Sequence, residues 1–151
     1  MTTGAWVLLG SVVLAVGFGL WRAVRDGRFS GTHRLPEVDE DPHPAVAGVL
    51  AGTSLVDGLG STATLLQFSS AFCAPCRTTR VVLADVASRH PGITHLEVDA
   101  EQHLELVRRL GISRTPTTLV LDVQGVELTR AMGAPRREAV ERSLHALGLI
   151  K

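Results

Sequence analysis

Residues Phe68–Arg80 read FSSAFCAPCRTTR. This stretch holds both cysteines of the chain, Cys73 and Cys76, at C-x-x-C spacing just after the apolar run Thr64–Phe68, TLLQF. The run is β-prone. A helix starting at the cysteines continues through RTTRVVLADVASRH until Pro91-Gly92 stops it. The pair therefore falls at a strand-to-helix junction, where unpaired N–H groups and the helix dipole favour an anion. A thiol there loses its proton near neutral pH, attacks a disulfide, and is released when a second thiol one turn on resolves the mixed disulfide. Pro75 in the first turn costs no hydrogen bond. Arg77 adds positive charge. As a structural staple the pair does little, because it closes a loop of only a few residues.

Outward from the cysteines the pattern alternates between strands and helices. Ile93–Val98, ITHLEV, reads as a strand, and Leu104, Val107 and Leu110 mark a helix over 102–110 that stops at Gly111. Thr117–Leu121, TTLVL, is a buried type of strand, and Asp122–Gly125 turns it into a partner strand over 126–132. Pro135 opens a last helix with Val140, Leu144 and Leu147 on one face. The order β-α-β-α-β-β-α predicts an α/β domain with a mixed central sheet and helices on both faces.

The 151 residues suit one such domain plus an appendage. A formal net charge of zero gives no overall field toward nucleic acid. No basic stripe with aromatics, phosphate loop or repeat is present, so no nucleic-acid partner is expected. The appendage is N-terminal. Ala5–Trp21, AWVLLGSVVLAVGFGLW, carries no charge and predicts a transmembrane helix within 1–24, although at 1.5 Å per residue it covers only about 25 Å. Arg22, Arg25, Arg28 and Arg34 follow it, which predicts a single-pass cell-membrane protein with its C-terminal domain in the cytoplasm, the extracytoplasmic side being the alternative. Residues 25–60, with the acidic cluster Glu37, Asp39, Glu40, Asp41 and the stiffening Pro42 and Pro44, read as a juxtamembrane linker, ambiguous from about Ala45 onward. The compact domain is expected over 61–151.

The segment FSSAFCAPCR resembles the active-site segment of the thioredoxin family, F-x-x-x-W-C-x-P-C-[KR]. Leu96–Asp99 resembles the family's strand ending in Asp, and Arg114-Thr115-Pro116-Thr117 its T-P-T element, whose proline is cis and faces the cysteines. Gly125 resembles the hairpin glycine, and Gly133-Ala134 the pair beside the substrate groove. The resemblance spans about Leu65–Leu149. It implies a thioredoxin-like fold and a protein-disulfide oxidoreductase, of undecided direction, with Cys73 attacking and Cys76 resolving. Phe72, Ala74, Pro75, Thr115, Pro116, Gly133 and Ala134 would form the groove. No cofactor is implied beyond a redox-active disulfide between Cys73 and Cys76. The implied partners are protein disulfides and an electron donor, either a thioredoxin reductase or a membrane thiol carrier.

Three positions depart from the family pattern. Phe72 replaces the tryptophan, keeping an apolar wall without an indole donor. Gln67 replaces a buried aspartate that assists proton movement, and Gln does not titrate. His95 replaces a lysine beside it and titrates near neutral pH, so His95 or solvent becomes the candidate acceptor of the Cys76 proton. Two rival readings follow. A Cys2His2 zinc site would use Cys73, Cys76, His90 and His95, but His90 lies a whole helix, about 20 Å, from the cysteines. A non-catalytic binding module on the same fold would have no need to keep both thiols.

Overall fold

The computed structural model describes residues 3–25, 27–30 and 48–151. Its elements are α1 (Thr3–Arg25), β1 (Phe29–Ser30), a short 3-10 helix (Ser54–Gly58), β2 (Ala63–Ser69), α2 (Ala74–Arg89), β3 (Ile93–Asp99), α3 (Leu104–Arg109), β4 (Thr117–Leu121), β5 (Glu127–Met132) and α4 (Arg137–Ala146). The five strands form one mixed sheet in the order β1-β5-β4-β2-β3. β2 and β3 run parallel, with Leu66 opposite Leu96, and the remaining pairs are antiparallel, with Gln67 opposite Thr118 and Thr118 opposite Ala131.

All of β2 is buried. Successive side chains of a strand point to opposite faces, so β2 feeds two cores. Leu66 and Phe68 join Val98, Leu119 and Leu121 on one face, covered by Leu106 and Leu110. Ala63 and Leu65 join Val120 on the other, covered by Leu83 and Val86 of α2 and Val140 and Leu144 of α4. Cover on both sides is why Thr64–Phe68 reads as a continuous apolar run rather than an alternating one. The Asp122–Val126 turn is closed by the Asp122 carboxylate, which accepts from the N–H groups of Gln124 at 2.9 Å and Val126 at 2.8 Å.

The 25–60 stretch differs from a free linker at three places. β1 pairs with β5, Phe29 opposite Ala131, and the Gly27 N–H donates to the Met132 carbonyl at 2.7 Å. Val49 and Leu50 are buried in the core beside α3, where Arg109 donates to the Val49 carbonyl at 2.9 Å. Gly48 lies against the backbone of Gly125, with no room for a Cβ. Packing of the domain thus begins upstream of residue 61. The acidic cluster Glu37–Asp41, Pro42 and Pro44 lie outside the described residues.

The expected membrane anchor is corrected. Thr3–Arg25 is helical and its large apolar side chains from Trp6 to Trp21 are exposed. Among the described residues, however, no helix is long and apolar enough to cross a membrane. The charge-free run Trp6–Trp21 rises only about 24 Å, against roughly 30 Å of hydrocarbon, and three glycines dilute it. The single-pass cell-membrane localisation, with its cytoplasmic or extracytoplasmic sidedness, and the membrane as a partner are withdrawn with it.

Candidate active site

Cys73 is the N-cap of α2, in an extended conformation, and Pro75 occupies the first turn, where the missing N–H has no partner to lose. The Cys76 N–H donates to the Cys73 sulfur at 3.1 Å. That sulfur therefore sits where the helix offers its unpaired N–H groups and the positive end of its dipole. Cys73 and Cys76 are joined as a disulfide with their Cα atoms 5.2 Å apart. The two sulfurs are not equivalent. Cys73 is half-buried, whereas Cys76 is 2% exposed.

The Thr115–Pro116 peptide bond is cis. The Thr115 hydroxyl lies 3.1 Å from that of Ser70, tying this loop to the one that carries the cysteines. Gly133, with φ of 90°, donates its N–H to the Pro116 carbonyl at 2.8 Å. A cleft of about 1030 Å³ brings Pro75, Thr115, Pro116, Gly133 and Ala134 together. Five of the seven residues expected to form a groove thus share one cleft. Ala74 is exposed on the first turn of α2. Phe72 departs from the expected apolar wall: it is 100% exposed, projecting from the loop rather than packing against the site.

Behind the disulfide, Gln67 is fully buried and makes three contacts. Its amide nitrogen donates to the Ser69 hydroxyl at 2.7 Å and to the Cys76 carbonyl at 3.0 Å. Its amide oxygen lies 3.2 Å from Nε2 of His95. His95 therefore meets the resolving cysteine through Gln67 and the Cys76 backbone. His90 caps the far end of α2, away from the cysteines. Among the described residues no cluster of three or more histidines, cysteines and acids is placed to hold a metal ion.

The sequence model of the thioredoxin family, described as Thioredoxin, matches residues 54–146. The chain belongs to the thioredoxin family. Among curated relatives, a thioredoxin H-type of Oryza sativa subsp. indica is 28% identical over 80 residues, covering 53% of this chain and 64% of the relative. A thioredoxin of Chlamydia trachomatis is 27% identical over 92 residues, covering 61% and 89%. Against the first two curated relatives the chain spans only 54% and 64% of their length. Solved structures share the thioredoxin fold. Thioredoxin NaTrxh from Nicotiana alata superposes with a TM-score of 0.52 at 21% identity, over 60% of this chain and 76% of that one. The reduced Schistosoma mansoni thioredoxin pre-protein gives 0.53 at 22% identity, over 62% and 86%.

Burial lowers the pKa of His95 below its ordinary 6.5, opposed by the Glu97 carboxylate and reinforced by Arg80. The unfolded chain, with its ordinary imidazole, therefore binds a proton at higher pH than the folded one. Stability is full above about pH 6.5 and falls as the pH drops through that value toward the folded pKa. Glu97, held low chiefly by its hydrogen bonds from Arg80, begins to lose its contribution only below 4.5, which separates the two windows. In urea unfolding between pH 7.5 and 5, His95→Gln removes most of the decline; an unchanged decline would assign it elsewhere.

Proposed function

We propose that the chain is a protein thiol-disulfide oxidoreductase that works through the Cys73-Ala74-Pro75-Cys76 dithiol. The observation that carries this reading is the asymmetry of the pair: an accessible sulfur at the N-terminus of α2 with a buried sulfur directly behind it. In the reduced protein the Cys73 thiolate, favoured by the helix end, attacks one sulfur of a client disulfide. A mixed disulfide forms and the client's other sulfur leaves as a thiolate. Cys76 loses its proton and attacks the Cys73 sulfur, closing the internal disulfide and releasing the second client thiol. Two electrons pass from the pair to the client, and solvent protons restore both client thiols. A dithiol reductant, of the thioredoxin reductase class, then returns the two electrons.

The groove supports the same reading. Among the described residues no hydrogen bond engages the backbone N–H or carbonyl of Thr115, which suits it to pair with an extended client segment. Pro75, Pro116, Gly133 and Ala134 line the groove with Thr115, and the exposed Phe72 and Ala74 offer apolar contact to a client surface. In this reading the Cys76 proton leaves to solvent or to His95, neutral near pH 7, with Gln67 holding the Cys76 carbonyl. Assayed across pH, His95→Gln alters the shape of the rate profile if His95 takes part.

The decisive variant is Cys76→Ser. With no resolving thiol, Cys73 remains bonded to its client, and adducts that dissolve in dithiothreitol accumulate on non-reducing gels. Absence of adducts with disulfide-bearing proteins such as insulin would leave a binding module without turnover.

A further inference from the structure

Cys73 and Cys76 line one cleft, while the separate cleft lined by Pro75, Thr115 and Pro116 is bordered by a wall of positive charge. Among the described residues five arginines line it, Arg22, Arg28, Arg114, Arg136 and Arg142, against one acid, Glu138. They come from separate parts of the chain: the end of α1, the residue before β1, the loop before the cis-proline, and α4 with its N-cap. The chain as a whole has a formal net charge of zero, so among the described residues this is a local excess.

Elsewhere on the domain four arginines are paired with acids, whereas Arg77, Arg108 and Arg109 make no ion pair among the described residues. Arg80 pairs with Glu97, Arg89 and Arg137 share Asp85, and Arg130 pairs with Glu127. Arg28, Arg136 and Arg142 are exposed and make no ion pair among the described residues. Arg136 also stands against local electrostatics, because a cation at a helix N-terminus opposes the dipole. Arg114 is anchored, with one guanidinium N–H donating to the Met132 carbonyl at 3.1 Å.

We propose that this wall selects clients whose disulfide is flanked by acidic residues. Planar guanidinium groups match carboxylates bidentately, and Arg28, Arg114, Arg136 and Arg142 border the same groove that holds Thr115 and Pro116. A client segment lying across the cis-proline would run directly onto them. The excess charge acts mainly on encounter, raising the association rate at low ionic strength and losing effect as salt screens it. The proposal rests on the exchange chemistry above and names its substrate class.

The test uses the full, reduced chain and three synthetic peptides with the same internal disulfide, flanked by Asp and Glu, by Asn and Gln, or by Lys. The readout is the ratio of kcat/KM values. The expected result is an acidic-to-neutral ratio of about tenfold in 20 mM salt, collapsing toward one in 0.5 M salt. In Arg28→Gln/Arg136→Gln/Arg142→Gln the ratio falls toward one, and Arg136→Glu/Arg142→Glu shifts preference to the Lys peptide; circular dichroism checks that both variants fold. Equal rates for acidic and neutral peptides overturn the proposal while leaving the exchange chemistry standing. No reduction of any peptide instead overturns the exchange chemistry. A single-stranded oligonucleotide of equal charge that competes as well as the acidic peptide would make the wall a general anion site and overturn the client assignment.

Discussion

A Cys73→Ser chain reduces client disulfides no faster than the uncatalysed reaction, a loss of about a thousandfold or more. The loss is chemical rather than structural. Serine is a preferred N-cap, and its oxygen can take over the hydrogen bond that the Cys76 N–H makes to the Cys73 sulfur at 3.1 Å. The cap and the start of α2 therefore survive. What disappears is the accessible sulfur at the helix end, Cys76 being 2% exposed, and a serine hydroxyl neither ionises near neutral pH nor makes a disulfide. Unfolding curves of the variant and of the reduced wild type should coincide within about 1 kcal/mol, while insulin reduction is lost. Substantial remaining turnover would move the nucleophile elsewhere.

Glu127→Ala destabilises the domain by about 3–5 kcal/mol, because it strands a buried cation. Arg130 is 8% exposed. Its guanidinium makes two hydrogen bonds to the Glu127 carboxylate, at 2.5 and 2.6 Å, and a third to the Leu110 carbonyl at 3.0 Å. Through the Leu110 carbonyl Arg130 ties β5 to the end of α3. Without the carboxylate, Arg130 keeps its desolvation cost and loses its compensation. For a domain of this size the loss corresponds to a fall in Tm on the order of 15 °C. Glu127→Leu/Arg130→Leu should be milder than Glu127→Ala, since it removes both charges together. A Glu127→Ala cost below 1 kcal/mol would mean that water reaches the pair.

The order of elements was legible because β2 through α4 carry clear periods and stops: Pro91-Gly92 after α2, Gly111 after α3, and Asp122–Gly125 between β4 and β5. The C-x-x-C pair was legible from its spacing, and the cis bond before Pro116 only from the likeness of Arg114–Thr117 to the thioredoxin T-P-T element. What escaped was made by long-range packing. β1 is two residues long, too short to show any period, and it forms only because β5 offers a free edge. Val49 and Leu50 look like stray apolar residues in a Gly-rich stretch until α3 covers them. The arginine wall gathers four distant segments, which no local pattern predicts. Phe72 was read as an apolar wall from its place before Cys73, and its full exposure is set by the loop that carries it. The Ala5–Trp21 run was read as a span from its lack of charge, while its length and glycines count against one.

The central claim is that Cys73 and Cys76 pass two electrons to a protein disulfide. It is tested most directly in a single turnover, mixing the fully reduced chain with excess insulin in the absence of any reductant and counting thiols by alkylation and mass spectrometry. The account predicts that each chain loses both thiols, gains the Cys73–Cys76 disulfide and opens one insulin disulfide. Chains that keep both thiols free while insulin stays intact would contradict it.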